Sequence, residues 1–177
     1  MKRLTPLALP VLATALLQAQ GDPLSDEARQ SWGRTKSNLI AAAEKMPEET
    51  YDFKPAPESQ SFKDLVAHTA DSAMGVCSGY NGARQQLGAA SKTSKADLVA
   101  ALKAGLAECD KSYESITDAK ATEMIEGRGG MQQSRLGSLY RNTIHMEHEY
   151  AQMAVHLRLN KIVPPSSEGR MGGGKKK

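Results

Sequence analysis

The spacing of apolar residues between positions 94 and 116 narrows the fold of this chain more than any other feature. After Ser94, a residue that can cap a helix, apolar side chains recur at steps of three or four: Leu98, Leu102, Leu106, Cys109, Tyr113 and Ile116. This spacing follows the 3.6-residue period of an α-helix that buries one face. No segment of useful length shows the two-residue alternation of a strand. The sequence therefore predicts a helical core.

Three further segments show the same period, and each is bounded by residues that begin or end helices. The predicted bounds are 25–46, 61–80 and 134–159. Ser25 is expected to cap the first helix, and Pro47 to end it. Ser61 and Asp64 form a capping box for the second. Four amphipathic helices predict an all-α fold, a four-helix bundle that occupies residues 21–165 as one domain.

The first twenty residues predict an export signal. Lys2 and Arg3 precede a mostly apolar run that ends at Leu17, and small and polar residues follow it. This order is that of a secretory signal peptide, and the run is shorter than the about 20 residues of a spanning helix. We expect cleavage after Ala19 or Gln20 and a periplasmic or secreted protein without a membrane segment. An uncleaved membrane anchor is the alternative.

The charges of the chain are unevenly distributed. The chain has 23 Lys and Arg and 20 Asp and Glu. Two basic residues lie in the leader, and four basic residues and one acid lie in residues 165–177, which leaves 17 basic and 19 acidic residues between. A mildly acidic body argues against a nucleic-acid partner. Residues 166–177 are rich in Gly, Ser and Lys and are predicted to be a disordered tail.

The chain has two cysteines, Cys77 and Cys109, and each lies on the apolar face of a predicted helix. The two helices are consecutive, and an oxidising compartment outside the cytoplasm permits a disulfide between them. Two buried free thiols are the alternative. The spacing excludes a CxxC metal or redox motif.

Polar groups that can bind metal follow one line of the fourth helix. They lie opposite an apolar face that runs from Leu136 to Leu157, at steps of four, three and four residues: His145, Glu149, Gln152 and His156. Imidazole and carboxylate groups one turn apart can share a metal ion. His68 in the second helix is the one histidine outside the fourth helix. On spacing alone, such a line is more often solvated surface, so both interpretations stay open.

Three stretches, taken together, resemble the DinB-like bundle proteins. They are residues 44–55, residues 61–68, and the last helix from His145 through Pro165, and the likeness extends over about residues 31–166. The resemblance implies a four-helix bundle with a long crossover connection. It also implies a divalent metal held by three histidines, one in the second helix and two that are four residues apart in the last. Cys77 and Cys109 resemble a pair found in exported members.

By position, the implied ligands are His68, His145 and residue 149, which is Glu in this chain. Three outcomes are open: Glu149 binds the metal, His148 replaces it after a small helix rotation, or the site is empty. Two histidines and a carboxylate suit a divalent ion. We expect zinc, with nickel or iron as alternatives.

The resemblance implies metal-dependent chemistry, because characterised relatives include thiol-dependent transferases and isomerases. A cytoplasmic thiol is a poor cosubstrate outside the cytoplasm, so a hydrolase is an equal candidate. His148 and His156 are expected to transfer protons, since imidazole titrates near neutral pH. The prediction is an exported metal-dependent transferase or hydrolase that acts on an unidentified small molecule, in a monomer or a homodimer. The alternative is a non-catalytic metal-binding or stress-associated bundle with a degenerate site.

Overall fold

The computed structural model describes residues 21–168, and the expected signal peptide and residues 169–177 lie outside the described residues. Within them, the chain forms four long helices and one small antiparallel sheet. The helices are α1 (Pro23–Lys45), α2 (Phe62–Tyr80), α3 (Lys95–Ser115) and α4 (Arg135–Leu159), and the strands are β1 (Met124–Glu126) and β2 (Gln132–Ser134). The predicted all-α four-helix bundle is confirmed. No described helix has the length and apolar character that crossing a membrane requires.

Contacts between the helices define an up-down-down-up order. α1 is antiparallel to α3, and α2 is antiparallel to α4. The contacts that show this are Lys36–Asp110 and Lys103–Glu44 for α1 with α3, and Phe62–His156 and Arg135–Tyr80 for α2 with α4. α2 and α3 run in the same direction. Ala70 meets Gly105, and further along both segments Asn81 meets Ser112.

Because α2 and α3 are parallel neighbours, the chain between them must return along the bundle. Residues 81–94 make this connection, and Asp71 on α2 holds it midway: its carboxylate accepts hydrogen bonds from the backbone N–H of Ala89 at 2.9 Å and of Ala90 at 3.3 Å. This is the long crossover connection that the family resemblance implied. Besides α3, α2 packs against α4.

The predicted disulfide is present and joins the two parallel helices. Cys77 and Cys109 are bonded, both are fully buried, and their Cα atoms are 4.8 Å apart. One helical turn before Cys109, a Cβ at Gly105 would come within 2.5 Å of the carbonyl oxygen of Ala70. Glycine therefore permits the close approach of α2 and α3 beside the disulfide.

The helix starts were predicted with one error. The capping box is confirmed: the Ser61 hydroxyl accepts from the N–H of Asp64 at 3.1 Å, and the Asp64 carboxylate accepts from the N–H of Ser61 at 3.2 Å. The expectation that Ser25 caps α1 is wrong, because Asp22 is the N-cap. Ser25 is buried in the first turn, and its N–H and hydroxyl both donate to Asp118 at 2.8 Å.

Two segments outside the long helices also differ from what the sequence predicts. Residues 126–130 were expected only to break the chain, but they belong to a hairpin whose strands pair from Met124 with Ser134 to Glu126 with Gln132. The tail was expected from residue 166, yet Ser166 is held by Tyr150, whose hydroxyl donates to the Ser166 hydroxyl at 2.7 Å. The last turn of the bundle therefore extends to residues 165–167.

Candidate metal centre

α4 lies between α1 and α2, and this position buries more of its surface than its apolar face alone. The expected core residues Leu136, Leu139, Met146, Met153 and Leu157 are buried. Glu149 and His156, expected on the opposite side, are buried as well, with 3% and 4% of their surface exposed. The idea that this line is simple solvated surface is wrong for both, because α2 and the segment before it cover that side.

The structure brings together three of the side chains that the sequence singled out. Oε1 of Glu149 lies 3.7 Å from Nε2 of His68 on α2 and 3.7 Å from Nδ1 of His145, one turn earlier on α4. The three ligand atoms all lie within 4.8 Å of one another. The imidazole rings of His68 and His145 meet edge to face, with centroids 5.4 Å apart. A small shortening of the distances between these three atoms would bring all three to one divalent ion.

Burial differs sharply across the group. The Glu149 side chain is 4% exposed, whereas those of His68 and His145 are 46% and 38% exposed. The carboxylate therefore forms the floor of the group and the two imidazoles its walls. An ion held between them would face solvent on the remaining side. That is the arrangement of catalytic zinc sites, which keep a position for water or substrate.

The electrostatics of the group favour a cation. Burial lowers the pKa of His145, while the Glu149 carboxylate opposes the shift and the neighbouring His68 and His148 add to it. A neutral imidazole is the form that binds metal. It also leaves the buried carboxylate facing imidazole nitrogens at 3.7 Å, beyond hydrogen-bond distance. A buried carboxylate needs a positive partner, which a divalent ion would supply.

Two further side chains, Gln152 and Ser72, contact members of the group. The amide Nε2 of Gln152 donates to Oε2 of Glu149 at 3.3 Å. The hydroxyl of Ser72, one turn after His68, lies 3.4 Å from Nε2 of that ring. Sequence reasoning placed Gln152 on the polar line of α4 without a role. It missed Ser72, although a residue four positions after a helical ligand shares its face.

His148 and His156 are not among the three grouped side chains. His148 is exposed on α4. The ring of His156 is buried between two backbone carbonyls, with Nδ1 at 2.9 Å from Gln152 O and Nε2 at 3.1 Å from Gln60 O. Every form of imidazole carries at least one N–H donor, so at least one of these contacts is a hydrogen bond. His156 thereby connects α4 to the segment that precedes α2.

Two surface cavities lie elsewhere on the bundle. One, of about 300 Å³, lies beside Asp71 and Arg84, and the other, of about 440 Å³, lies between α1 and α4 beside Arg34 and Glu147. None of the three grouped side chains lines either cavity. The candidate metal centre lies apart from both cavities, between α2 and α4, and its two histidines are partly exposed to solvent.

Comparisons with known proteins agree with this fold. The sequence model of the DinB superfamily matches residues 31–153. A crystal structure of a DinB-like protein from Bacillus cereus is similar with a TM-score of 0.66 at 18% identity, over 79% of this chain and 95% of that one. A DinB-like protein from Bacillus subtilis gives 0.59 at 18% identity, over 76% and 92%.

A third similar structure is that of a conserved protein from Enterococcus faecalis, with a TM-score of 0.61 at 16% identity over 76% of this chain and 95% of that one. A search of proteins with curated functions finds no match. Identities this low establish the shared fold, and the match of residues 31–153 establishes the family.

Proposed function

This chain belongs to the DinB superfamily, and on that premise we propose that it is an exported divalent-metal-binding bundle that performs metal-dependent transferase or hydrolase chemistry on a small molecule. The observation that supports this proposal is the buried Glu149 carboxylate, 3.7 Å from both His68 and His145. Burying an acid is costly, and two imidazole nitrogens beyond hydrogen-bond distance do not offset that cost, whereas a divalent ion would. Zinc is the proposed ion, with nickel or iron as the alternatives.

Each residue has a distinct task in this proposal. Glu149 supplies the negative charge at the floor, and His68 and His145 supply neutral nitrogen donors from two helices. Because the two rings are partly exposed, the remaining side of the ion is open to a substrate from solvent. A metal in such a site polarises a substrate oxygen or lowers the pKa of a bound water or thiol.

Proton transfer is assigned to His148 in this proposal. His148 is exposed and lies on α4 next to the ligand Glu149, so solvent can reach its ring. His156 is assigned a structural task, because both ring nitrogens face backbone carbonyls.

Export is proposed from residues 1–20, whose order of basic, apolar and small residues is that of a secretory signal peptide. On this proposal the protein is found in the periplasm or in the medium.

Metal analysis of protein matured near Gly21 tests the binding. We expect about one divalent ion per chain after incubation with zinc and dialysis, and its loss in His145→Ala and Glu149→Gln. His148→Ala is the matched control on the same helix and should retain the ion. Loss of the ion in His148→Ala with retention in Glu149→Gln would assign the third ligand to His148. Wild-type protein that takes up no zinc, nickel or iron would refute the proposal.

Catalysis is tested separately with the loaded protein. We expect hydrolysis of an activated ester, or thiol transfer to an electrophile, to need the ion and to disappear in His145→Ala. A protein that binds one ion and turns over neither probe would favour the non-catalytic metal-binding bundle. The same loaded sample measured by light scattering distinguishes a monomer from a homodimer.

A further inference from the structure

Gln152 contacts Oε2 of the Glu149 carboxylate, whereas the two histidines face Oε1. The two carboxylate oxygens are in different environments: Oε1 lies 3.7 Å from a nitrogen of each histidine, and Oε2 accepts from Nε2 of Gln152 at 3.3 Å. We propose that Gln152 is a positioning residue, which holds Oε2 so that Glu149 offers a single oxygen to the metal. This inference rests on the proposed metal site.

The chemistry of the donor makes this assignment specific. A free carboxylate can bind a metal through one oxygen or through both, and the second mode occupies a position that substrate or water would otherwise take. A hydrogen bond to one oxygen favours binding through the other, as partners of metal ligands generally do. Gln152 donates without carrying charge, whereas Lys or Arg at this place would repel the cation.

The geometry of α4 keeps Gln152 in place. It lies three residues after Glu149, so the two side chains share one face of the helix. The carbonyl oxygen of Gln152 lies 2.9 Å from Nδ1 of His156. The ring of His156 packs near that of Phe62, with ring centroids 5.8 Å apart. The backbone that carries the amide is thus tied to the start of α2, and its side chain is half-buried.

The test compares cobalt-loaded wild type with Gln152→Met, which preserves side-chain length and helix propensity but has no N–H donor in the side chain. We expect the cobalt dissociation constant to rise by about 10- to 100-fold. The visible spectrum should change in intensity, since bidentate Glu149 would raise the coordination number. Gln30→Met, at an exposed glutamine on α1, is the matched control and should leave both quantities unchanged. Gln152→Ala provides a second variant without the donor.

A measurement on the wild type needs no variant. X-ray absorption of the zinc-loaded protein should show one carboxylate oxygen in the first coordination shell. Wild-type cobalt affinity and spectrum in Gln152→Met, or a bidentate carboxylate in the wild type, would overturn the role of Gln152 while leaving the metal site intact. Wild-type protein without cobalt or zinc binding would instead overturn the proposed function itself, and this inference with it.

Discussion

Nε2 of His68 on α2 lies 3.7 Å from Oε1 of Glu149 on α4. The half-exposed ring and the buried carboxylate meet because the antiparallel packing of the two helices brings the middle of each to the same level. The pair therefore depends on the bundle and joins two elements far apart in sequence. A cation between them would strengthen the α2–α4 contact.

Replacing Glu149 by Gln should have opposite effects on metal binding and on the stability of the metal-free protein. The side chain of Glu149 is 4% exposed, and removal of its charge relieves the cost of a buried charge. We expect the metal-free variant to be more stable to urea by about 1 kcal/mol or more, and to lose the stabilisation by zinc. Equal destabilisation with and without zinc would show that Glu149 is a structural acid.

Removing the disulfide should lower stability without changing the fold. The bond between Cys77 and Cys109 spans 32 residues of sequence, for which chain entropy predicts about 3–4 kcal/mol. We expect this loss in the urea unfolding of Cys77→Ala/Cys109→Ala relative to wild type. Two thiols that react freely in unfolded, non-reduced wild type would contradict the bond.

Gly105→Ala should destabilise the bundle because of the close packing of α2 and α3. The new methyl group would meet the carbonyl oxygen of Ala70 at 2.5 Å, and such overpacking costs about 1–3 kcal/mol. Gly33→Ala on α1 is the control, since its Cβ has no neighbour within 4 Å. It should stabilise the helix by about 0.5–1 kcal/mol, as thermal unfolding of the two variants can measure.

His156→Ala should separate structural from chemical roles among the histidines. The ring contacts the carbonyl oxygens of Gln60 and Gln152 and packs near Phe53 and Phe62. Its loss leaves a cavity and an unpaired carbonyl, a cost of about 2–4 kcal/mol. The folded variant should still bind one zinc ion. Loss of zinc from folded His156→Ala would return this histidine to the metal chemistry.

The capping box of α2 should contribute to acid sensitivity. The hydrogen bond from the Ser61 hydroxyl holds the pKa of Asp64 below its ordinary value, against a smaller opposing effect of burial. A carboxyl with a lowered folded pKa stabilises the protein above its unfolded pKa, about 4, and this contribution is lost as the pH falls through the folded pKa. Asp64→Asn should show a smaller fall in melting temperature between about pH 5 and 3 than wild type. An unchanged slope would contradict this role.

Regular features of the fold followed from the sequence because they depend on local rules. Apolar spacing located four helices, Ser61 and Ser134 marked two starts, and Pro47 marked an end. The start of α1 was misplaced because Asp22 and Ser25 are both good caps, and the choice depends on Asp118 from another part of the chain. The hairpin around residues 126–130 was missed because its strands are only three residues long.

The sequence alone determined the helical class, the cysteine positions and the residue types of the metal set, because each is local or follows from family pattern. Tertiary structure decided which of them meet. Helical spacing predicted Glu149 on the polar line of α4, and only the packing of α2 made it a buried acid beside His68. The same packing turned His156 toward Gln60 and left His148 exposed. Burial and distance depend on the neighbouring helix, which helical periodicity cannot specify.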